Sequence, residues 1–186
     1  LNTGCANIAS VKFAFERLGL RVRVSDDPDA ILAADKVLLP GVGAASAAMA
    51  AIEQKQLSPL IRKLQQPVLG ICLGMQLLAR TSEETPGSHL ASATAQRVPC
   101  LDLVPTDIQR MDGSNQVLPH MGWDQIEPQG NNPLFKGIDA GTYFYFVHSF
   151  SAPISEFTLA SCDYGQPFSA AIGKDNFYGV QFHPER

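Results

Sequence analysis

Cysteine is scarce in this chain of 186 residues, and its four cysteines are far apart in the sequence. They form neither a C-x-x-C pair nor a dense framework, which favours reduced thiols over disulfide bonds. The sequence also has no H-E-x-x-H motif and no histidines grouped with carboxylates at the spacing of metal ligands, so we expect no metal site. The local patterns of papain-like and caspase-like cysteine enzymes are absent as well.

Long hydrophobic runs and blocks of like charge are also missing. No apolar run approaches the ~20 residues that a membrane-spanning helix needs, and the first residues lack the basic and then apolar layout of a signal peptide. The formal net charge is −4 and the basic residues are scattered, which argues against binding to nucleic acid or to an anionic membrane surface. We therefore expect a cytoplasmic protein that acts on a small molecule.

The residues that are present predict an α/β fold. With 45% hydrophobic residues, the chain can form one well-cored globular domain over residues 1–186. In its first half helical periodicity alternates with apolar strands, which predicts a doubly wound, mostly parallel sheet flanked by helices. These strands are expected at residues 20–24, 37–39 and 68–71.

Antiparallel strands are expected in the second half, where short β-rich runs are separated by turns. We place the strands of this half near residues 106–110, 122–126, 142–147, 157–162, 168–172 and 178–182. Because the sequence begins directly with a helix and stops after a strand, the domain looks trimmed at both ends.

Cys72 lies between Gly70 and Gly74, where an apolar strand gives way to a helix. A sharp strand-to-helix turn of this kind displays a nucleophile at the sheet edge, as in G-x-S-x-G hydrolases. The N-terminus of the following helix favours a thiolate and a neighbouring oxyanion. The alternative is a buried cysteine that acts as a small hydrophobic residue. The flanking glycines favour a catalytic thiol.

His183 is the best candidate for the base that such a thiol needs. It follows the predicted strand 178–182, and the carboxyl ends of parallel strands meet at one edge of the sheet, where Cys72 also emerges. Glu185 could hold an imidazole nitrogen and complete a triad. Taken singly, His183 could be a turn residue and Glu185 a solvated charge. Their joint occurrence favours a Cys-His-Glu site.

A second glycine loop, Pro-Gly-Val-Gly at residues 40–43, follows the strand 37–39. It is not a dinucleotide loop, because Ser46 replaces the third glycine and no acidic residue occurs in the window 61–66. No G-K-[ST] follows it either, so we expect no nucleotide cofactor. A backbone N–H of Val42 or Gly43 would suit an oxyanion hole together with the N–H of Leu73. A plain tight turn is the alternative.

Three segments together resemble the class I glutamine amidotransferases, which use a Cys-His-Glu triad. They are residues 70–76 (GICLGMQ), 40–43 (PGVG) and 182–185 (FHPE). Residues 119–123 (PHMGW) and 143–150 (YFYFVHSF) narrow the resemblance to the glutaminase subunits of imidazole glycerol phosphate synthases, from histidine biosynthesis. The likeness covers essentially the whole chain.

The resemblance implies a mechanism in which Cys72 attacks the side-chain amide of L-glutamine. His183, held by Glu185, would protonate the departing ammonia, and water would hydrolyse the resulting thioester. The resemblance also implies that the substrate's amino and carboxylate groups meet Gln76, Ser149 and Phe150, the last two largely through backbone atoms. His120 and His148 lie in matching motifs, where satisfied hydrogen bonding is as reasonable a role as catalysis.

A partner is implied in the same way. Ammonia would pass to a (β/α)8-barrel cyclase subunit in a heterodimer, and a rearranged Val42–Gly43 peptide would complete the oxyanion hole when the partner binds its ligand. Contacts with the partner are expected at Asn7, Met121 and Trp123, although a core position is an equal alternative for the single tryptophan. Asp124 stands where an Asn often follows the Gly-Trp pair.

Two rival functions are compatible with the same thiol. One is a glutaminase that serves another biosynthetic amidotransferase, and residues 119–123 argue against it. The other is a non-catalytic binding or thiol-sensing subunit on the same fold, which would need neither His183 nor Glu185.

Overall fold

A computed structural model describes residues 1–4, 8–85 and 97–186 of the chain. Its main feature is a mixed seven-stranded sheet in the order β1-β2-β11-β10-β9-β6-β7. These strands are β1 (Val37–Gly41), β2 (Val68–Cys72), β6 (His120–Pro128), β7 (Thr142–His148), β9 (Thr158–Asp163), β10 (Pro167–Lys174) and β11 (Phe177–Val180). A smaller sheet has the order β4-β3-β5-β8. It consists of β3 (Thr81–Ser82), β4 (Val98–Pro99), β5 (Asp107–Arg110) and β8 (Phe150–Ser151).

Five α-helices lie in the first half of the described chain. They are α1 (Ile8–Arg17), α2 (Pro28–Leu32), α3 (Ala45–Gln54), α4 (Ser58–Ile61) and α5 (Leu73–Leu77). A 3₁₀ turn, Pro133–Phe135, occurs later and is capped by the Asn132 side chain, which accepts from Leu134 N at 2.9 Å. No helix in the described ranges is long and apolar enough to cross a membrane.

The parallel part of the large sheet carries the catalytic candidates. β2 lies between β1 and β11 and runs parallel to both. The residues of β2 are apolar on both faces because both faces are covered. Val68 belongs to a core cluster that contains residues of α3 and α4. Ile71 belongs to a second cluster that contains Val11 of α1. Residues three apart on a strand point to opposite faces, as these two do.

The remaining pairings of the large sheet are antiparallel, from β11 through β10, β9 and β6 to β7. β6 and β7 form a ladder in full register from His120↔His148 to Ile126↔Thr142. Along β6 the buried residues His120 and Ile126 lie on one face, and the exposed Met121 and Trp123 lie on the other. The ladder therefore presents one covered face and one open face.

The α/β class with antiparallel strands in the second half is confirmed, and all six strands expected there are present. The strand expected at residues 20–24 is wrong. That segment has no regular secondary structure, although Val22 and Val24 line a small cavity together with Leu38 and Pro40 of β1. It lies beside the sheet without joining the backbone ladder.

Candidate active site

Cys72 occupies a strained turn between β2 and α5. Its backbone has φ 53° and ψ −112°, a region that residues with a side chain seldom adopt. The turn is so tight that a Cβ on Gly74 would lie 1.7 Å from the carbonyl oxygen of Leu39, and one on Gly70 would lie 2.5 Å from the carbonyl oxygen of Gly74. The two glycines that flank the thiol are therefore required by close backbone approach, which holds Cys72 at the edge of the sheet.

His183 reaches the same edge because β11 is the parallel neighbour of β2, with Val180 opposite Ile71. Past the end of β11, the backbone N–H of His183 donates to Tyr145 O of β7 at 2.9 Å. His183 Nδ1 lies 2.9 Å from Glu185 Oε1. The Arg17 guanidinium donates to the Glu185 carbonyl oxygen at 2.9 Å. The structure thus brings together the thiol, imidazole and carboxylate that the sequence singled out.

The charges of this group favour an imidazolium. Burial alone would lower the pKa of His183, but the neighbouring Cys72 and Glu185 raise it to about 10. Burial alone would raise the pKa of Glu185, but the hydrogen bond and charge of His183 hold it below the usual value. His183 Nε2 is buried and has no hydrogen bond to any described residue. Cys72 lies near the ring, because it contributes to the raised pKa of His183. The unpaired Nε2 is available to a substrate.

A cavity of about 340 Å³ opens beside His183 and Glu185, and Cys72 is not part of its lining. His183, Glu185 and Val42 line it, together with Ser10 and Arg17 of α1 and Tyr145 of β7, among others. Its volume is at the lower end of the range of small-molecule sites, which is roughly 300 to 1,000 Å³.

The Pro-Gly-Val-Gly loop ends next to Cys72. Gly41 is the register partner of Cys72 in the β1–β2 ladder, and a Cβ on Gly41 would lie 2.9 Å from Gly74 N. Val42 is 44% exposed at the cavity. Gly43 has φ 90°. Val42 and Gly43 are thus close to the start of α5, where Leu73 is buried. The oxyanion role of these three residues stays a prediction.

Gln76 and Phe150 are joined by a hydrogen bond in the interior. Gln76 is 2% exposed, and its amide Nε2 donates to Phe150 O at 3.2 Å and to Gln181 Oε1 at 3.1 Å. The amide oxygen Oε1 of Gln76 is buried and has no hydrogen bond to any described residue. Ser149 precedes Phe150 in the bend between β7 and β8, and its carbonyl oxygen accepts from Met111 N at 2.9 Å.

Sequence patterns did not predict the pairing of His120 with His148. Their rings face each other across the β6–β7 ladder with Nδ1 of His120 3.3 Å from Nε2 of His148. Both residues are buried. The pairing depends on strand register over 28 residues of sequence, and no local motif reports it.

The other predicted residues are scattered over the molecule. Met121 and Trp123 are 62% and 58% exposed on the open face of β6, so Trp123 is not a core residue. Asn7 lies outside the described residues. Cys100 and Cys162 are free and buried, and burial raises the pKa of each thiol to about 12. Within the described ranges, no group of three or more His, Cys, Asp or Glu side chains could hold a metal ion.

The chain is similar in sequence to proteins of one known family. The profile of the family "Glutamine amidotransferase class-I" matches residues 5–186. A protein of Colwellia psychrerythraea named "Imidazole glycerol phosphate synthase subunit HisH" is 54% identical, over 100% of this chain and 84% of the relative. A protein of the same name from Escherichia coli K12 is 53% identical, over 100% of this chain and 90% of the relative.

Solved structures share the fold of this chain. A crystal structure described as a glutamine amidotransferase superposes with a TM-score of 0.70 at 16% identity, covering 97% of this chain and 87% of the other. A Thermotoga maritima glutamine amidotransferase superposes with a TM-score of 0.64 at 18% identity, covering 100% and 73%. At such identities the likeness shows the fold alone. The profile match and the close relatives show more: this chain belongs to the class I glutamine amidotransferase family.

Proposed function

We propose that this chain is the glutaminase subunit of an imidazole glycerol phosphate synthase, which hydrolyses L-glutamine to glutamate and ammonia for histidine biosynthesis. One observation carries the chemistry. Cys72, in a left-handed conformation at the end of β2, shares a sheet edge with the His183–Glu185 pair, whose Nδ1 and Oε1 atoms are 2.9 Å apart. The identity to subunits named HisH supports this particular biosynthetic role.

The proposed reaction begins with attack of Cys72 Sγ on the amide carbon of glutamine. A cationic His183 stabilises negative charge on the sulfur before attack. Glu185 holds Nδ1, so the unpaired Nε2 faces the reaction and protonates the amide nitrogen as the carbon–nitrogen bond breaks. Ammonia leaves and a thioester remains. Water, deprotonated by the now neutral His183, hydrolyses the thioester, which releases glutamate and restores the thiol.

The negative oxygen of the tetrahedral intermediates needs hydrogen-bond donors. Backbone N–H groups of Leu73 and of Val42 or Gly43 are the proposed donors. Leu73 is the first residue of α5, where N–H groups have no partner within the helix. Val42 follows the residue that pairs with Cys72 in the β1–β2 ladder. A shift of the Val42–Gly43 peptide would couple oxyanion binding to a partner.

Gln76, Ser149 and Phe150 are the proposed contacts for the amino and carboxylate groups of glutamine. The buried and unpartnered Oε1 of Gln76 is an acceptor that an ammonium group could satisfy. Ser149 and Phe150 would contribute backbone groups at the bend between β7 and β8.

The proposed partner is a (β/α)8-barrel cyclase subunit that receives the ammonia in a heterodimer. The open face of the β6–β7 ladder suits such a contact, because Met121, Trp123 and Tyr143 are 62%, 58% and 57% exposed there. Exposed aromatic side chains grouped on one surface are typical binding hot spots. Asn7 is proposed as a further contact. We also propose a cytoplasmic location, which suits the free thiols of the described chain.

Glutamine hydrolysis, measured alone and with the cyclase subunit and its nucleotide ligand, tests the proposal. We expect the partner and its ligand to stimulate the wild type, and Cys72→Ala to abolish hydrolysis under every condition. Cys162→Ala is the matched control, since that thiol is buried away from the triad, and it should leave the rate unchanged. Trp123→Ala should lower apparent affinity for the partner about tenfold.

A glutamine-mimicking electrophile supplies a second readout of the same proposal. It should modify Cys72 and leave Cys100 and Cys162 unlabelled. Hydrolysis that survives Cys72→Ala would defeat the glutaminase assignment, whereas a rate indifferent to the cyclase and its ligand would defeat only the role in this synthase.

A further inference from the structure

A line of buried polar groups leads from the β6 surface to the thiol, and the proposed mechanism does not use most of it. Each member is within hydrogen-bond distance of the next. In order, the members are Asp124, His120, His148, the Phe150 carbonyl, Gln76, Gln181 and Cys72. The last contact, from Gln181 Nε2 to Cys72 Sγ, is 3.9 Å. The line starts at Asp124 of β6, whose side chain is 33% exposed.

The proton of His148 is fixed by its neighbours. Nδ1 lies 2.9 Å from Phe150 O, and a carbonyl oxygen can only accept, so Nδ1 carries the proton. Burial first, and then the nearby His120 and His183, lower the pKa of His148 to about 3 despite the bond to Phe150. The ring is therefore neutral, and its Nε2 must accept from His120.

His120 has two acceptors and, when neutral, only one proton for them. Nδ1 lies 3.3 Å from the bare Nε2 of His148. Nε2 lies 3.3 Å from Asp124 Oδ2. Both contacts become hydrogen bonds only when both ring nitrogens are protonated. A neutral ring can donate through only one nitrogen, and the charge-assisted hydrogen bond from Nε2 to Asp124 is the stronger. Nδ1 then has no proton, so His120 makes no hydrogen bond to His148.

The groups around His120 make this choice depend on pH. Those that titrate are Asp124 on its own strand, His148 on β7 and Tyr164, whose ring stacks on His120 with centroids 4.0 Å apart. Phe146 and Phe168 complete the surroundings. Burial lowers the pKa of His120 below 6.5, with Asp124 acting in the opposite direction. His120 therefore gains its second proton at a lower pH than an ordinary histidine does.

Phe150 O is where this line meets the proposed substrate site. The carbonyl accepts from His148 Nδ1 on one side and from Gln76 Nε2 on the other, which occupies both of its lone pairs. The two bonds fix the peptide that follows Ser149. They also hold Gln76, whose amide Nε2 donates to Gln181 Oε1. Gln181 Nε2 in turn lies 3.9 Å from Cys72 Sγ.

We propose that His120 and His148 are positioning residues that hold the Phe150 carbonyl and, through Gln76 and Gln181, the Cys72 thiol, and that Asp124 determines which nitrogen of His120 donates. This role rests on the proposed glutaminase function. None of the three residues touches the reacting atoms. Their effect is on how well the site is organised to bind glutamine, and it can be set from the surface of β6.

His148→Ala, assayed with the cyclase subunit bound, should raise KM for glutamine about tenfold, because a buried carbonyl loses one of its two donors. We expect kcat to change less than twofold. His148→Asn should restore most of the affinity, since Asn Nδ2 occupies nearly the place of His Nδ1 and can donate to Phe150 O. Phe146→Leu removes packing from the same aromatic cluster without removing a hydrogen bond, and it should leave KM unchanged.

Asp124→Asn gives a second, independent readout. The Asn amide can donate to Nε2 of a neutral His120, so that Nδ1 carries the proton. The hydrogen bond from His120 Nδ1 to His148 Nε2 then forms at any pH. The wild-type KM should therefore fall as the pH drops below 6.5, while the KM of Asp124→Asn should not depend on pH in that range.

The outcomes distinguish a failure of the positioning role from a failure of the proposed function. An inactive wild type would overturn both. An active wild type whose KM is unaffected by His148→Ala, or is raised equally by His148→Asn and Phe146→Leu, would overturn the positioning role alone. Retention of the wild-type pH dependence in Asp124→Asn would overturn the part assigned to Asp124 and His120.

Discussion

Glu185 controls the charge of His183 by direct contact. The carboxylate lies 2.9 Å from Nδ1, and its hydrogen bond and charge help to raise the pKa of His183 to about 10 although burial acts against this. Glu185→Gln keeps an oxygen that can accept from Nδ1 but removes the charge. We expect the pKa of His183 to fall, so that the alkaline limb of the pH profile of kcat/KM moves to lower pH and kcat/KM falls by roughly 10²-fold.

The pH dependence of glutamine hydrolysis measures this shift in the alkaline limb. Glu156→Gln removes an exposed carboxylate from a loop and should reproduce the wild-type profile. If Glu185→Gln reduces the rate but leaves the alkaline limb in place, Glu185 orients the ring without setting its charge.

Single residues were predictable where a local motif carried the information. The glycines beside Cys72 predict a close backbone approach, and in the structure a Cβ on Gly74 would lie 1.7 Å from Leu39 O. A histidine directly after a parallel strand is predicted to lie at the sheet edge. The bonds among Asp124, His120 and His148 depend on cross-strand register and on protonation. A short sequence motif predicts neither the register nor the protonation state.

The β2–α5 turn depends on the absence of a side chain at residue 74. A Cβ there would meet the Leu39 carbonyl of β1 at 1.7 Å, and Leu39 is held in the β1–β2 ladder opposite Gly70. We expect Gly74→Ala to lower the free energy of unfolding by more than about 3 kcal/mol, because severe overpacking displaces backbone. Urea unfolding, with loss of Cys72 labelling by the glutamine-mimicking electrophile, measures the effect.

Gly137→Ala is the matched control for that turn. Gly137 has φ 80° and open space around its Cβ position, so alanine adds backbone strain of about 1 kcal/mol and no clash. Equal losses in the two variants would mean that the turn is not held by close packing against β1.

At the scale of elements, short β-rich runs between turns predicted the strands of the second half. β6 and β7 form as expected. Residues 20–24 alternate Arg with apolar residues, yet they form no ladder with β1. A strand needs a neighbour for its backbone groups, and the sequence pattern describes only its side chains.

Across the whole molecule, buried histidines make stability depend on pH. Burial lowers the pKa of His148 from 6.5 to about 3. Because the unfolded chain then binds more protons, the free energy of unfolding falls as pH drops below 6.5. At pH 5 the loss from His148 is about 2 kcal/mol, and any folded-state pKa well below 5 gives the same figure. The lowered pKa of His120 acts in the same direction.

Two other groups titrate in the opposite sense. Burial raises the pKa of Glu84 to about 7, so Glu84 adds stability as pH falls over the same range. The pKa of His183 is raised to about 10, so its contribution is complete below 6.5 and is lost as pH rises towards 10. The wild-type pH profile alone therefore mixes opposing effects. A comparison with one variant isolates His148.

His148→Asn provides that comparison, because Asn keeps the N–H for Phe150 O and has no group that titrates. We expect the wild type to lose about 2 kcal/mol relative to this variant between pH 7 and pH 5, measured by urea unfolding at both pH values. Phe146→Leu, which changes a ring whose centroid lies 5.7 Å from that of His148, should keep the wild-type pH dependence. If wild type and His148→Asn show the same pH dependence, His148 is not held as a buried neutral ring, and its proton on Nδ1 cannot be what fixes the Phe150 carbonyl.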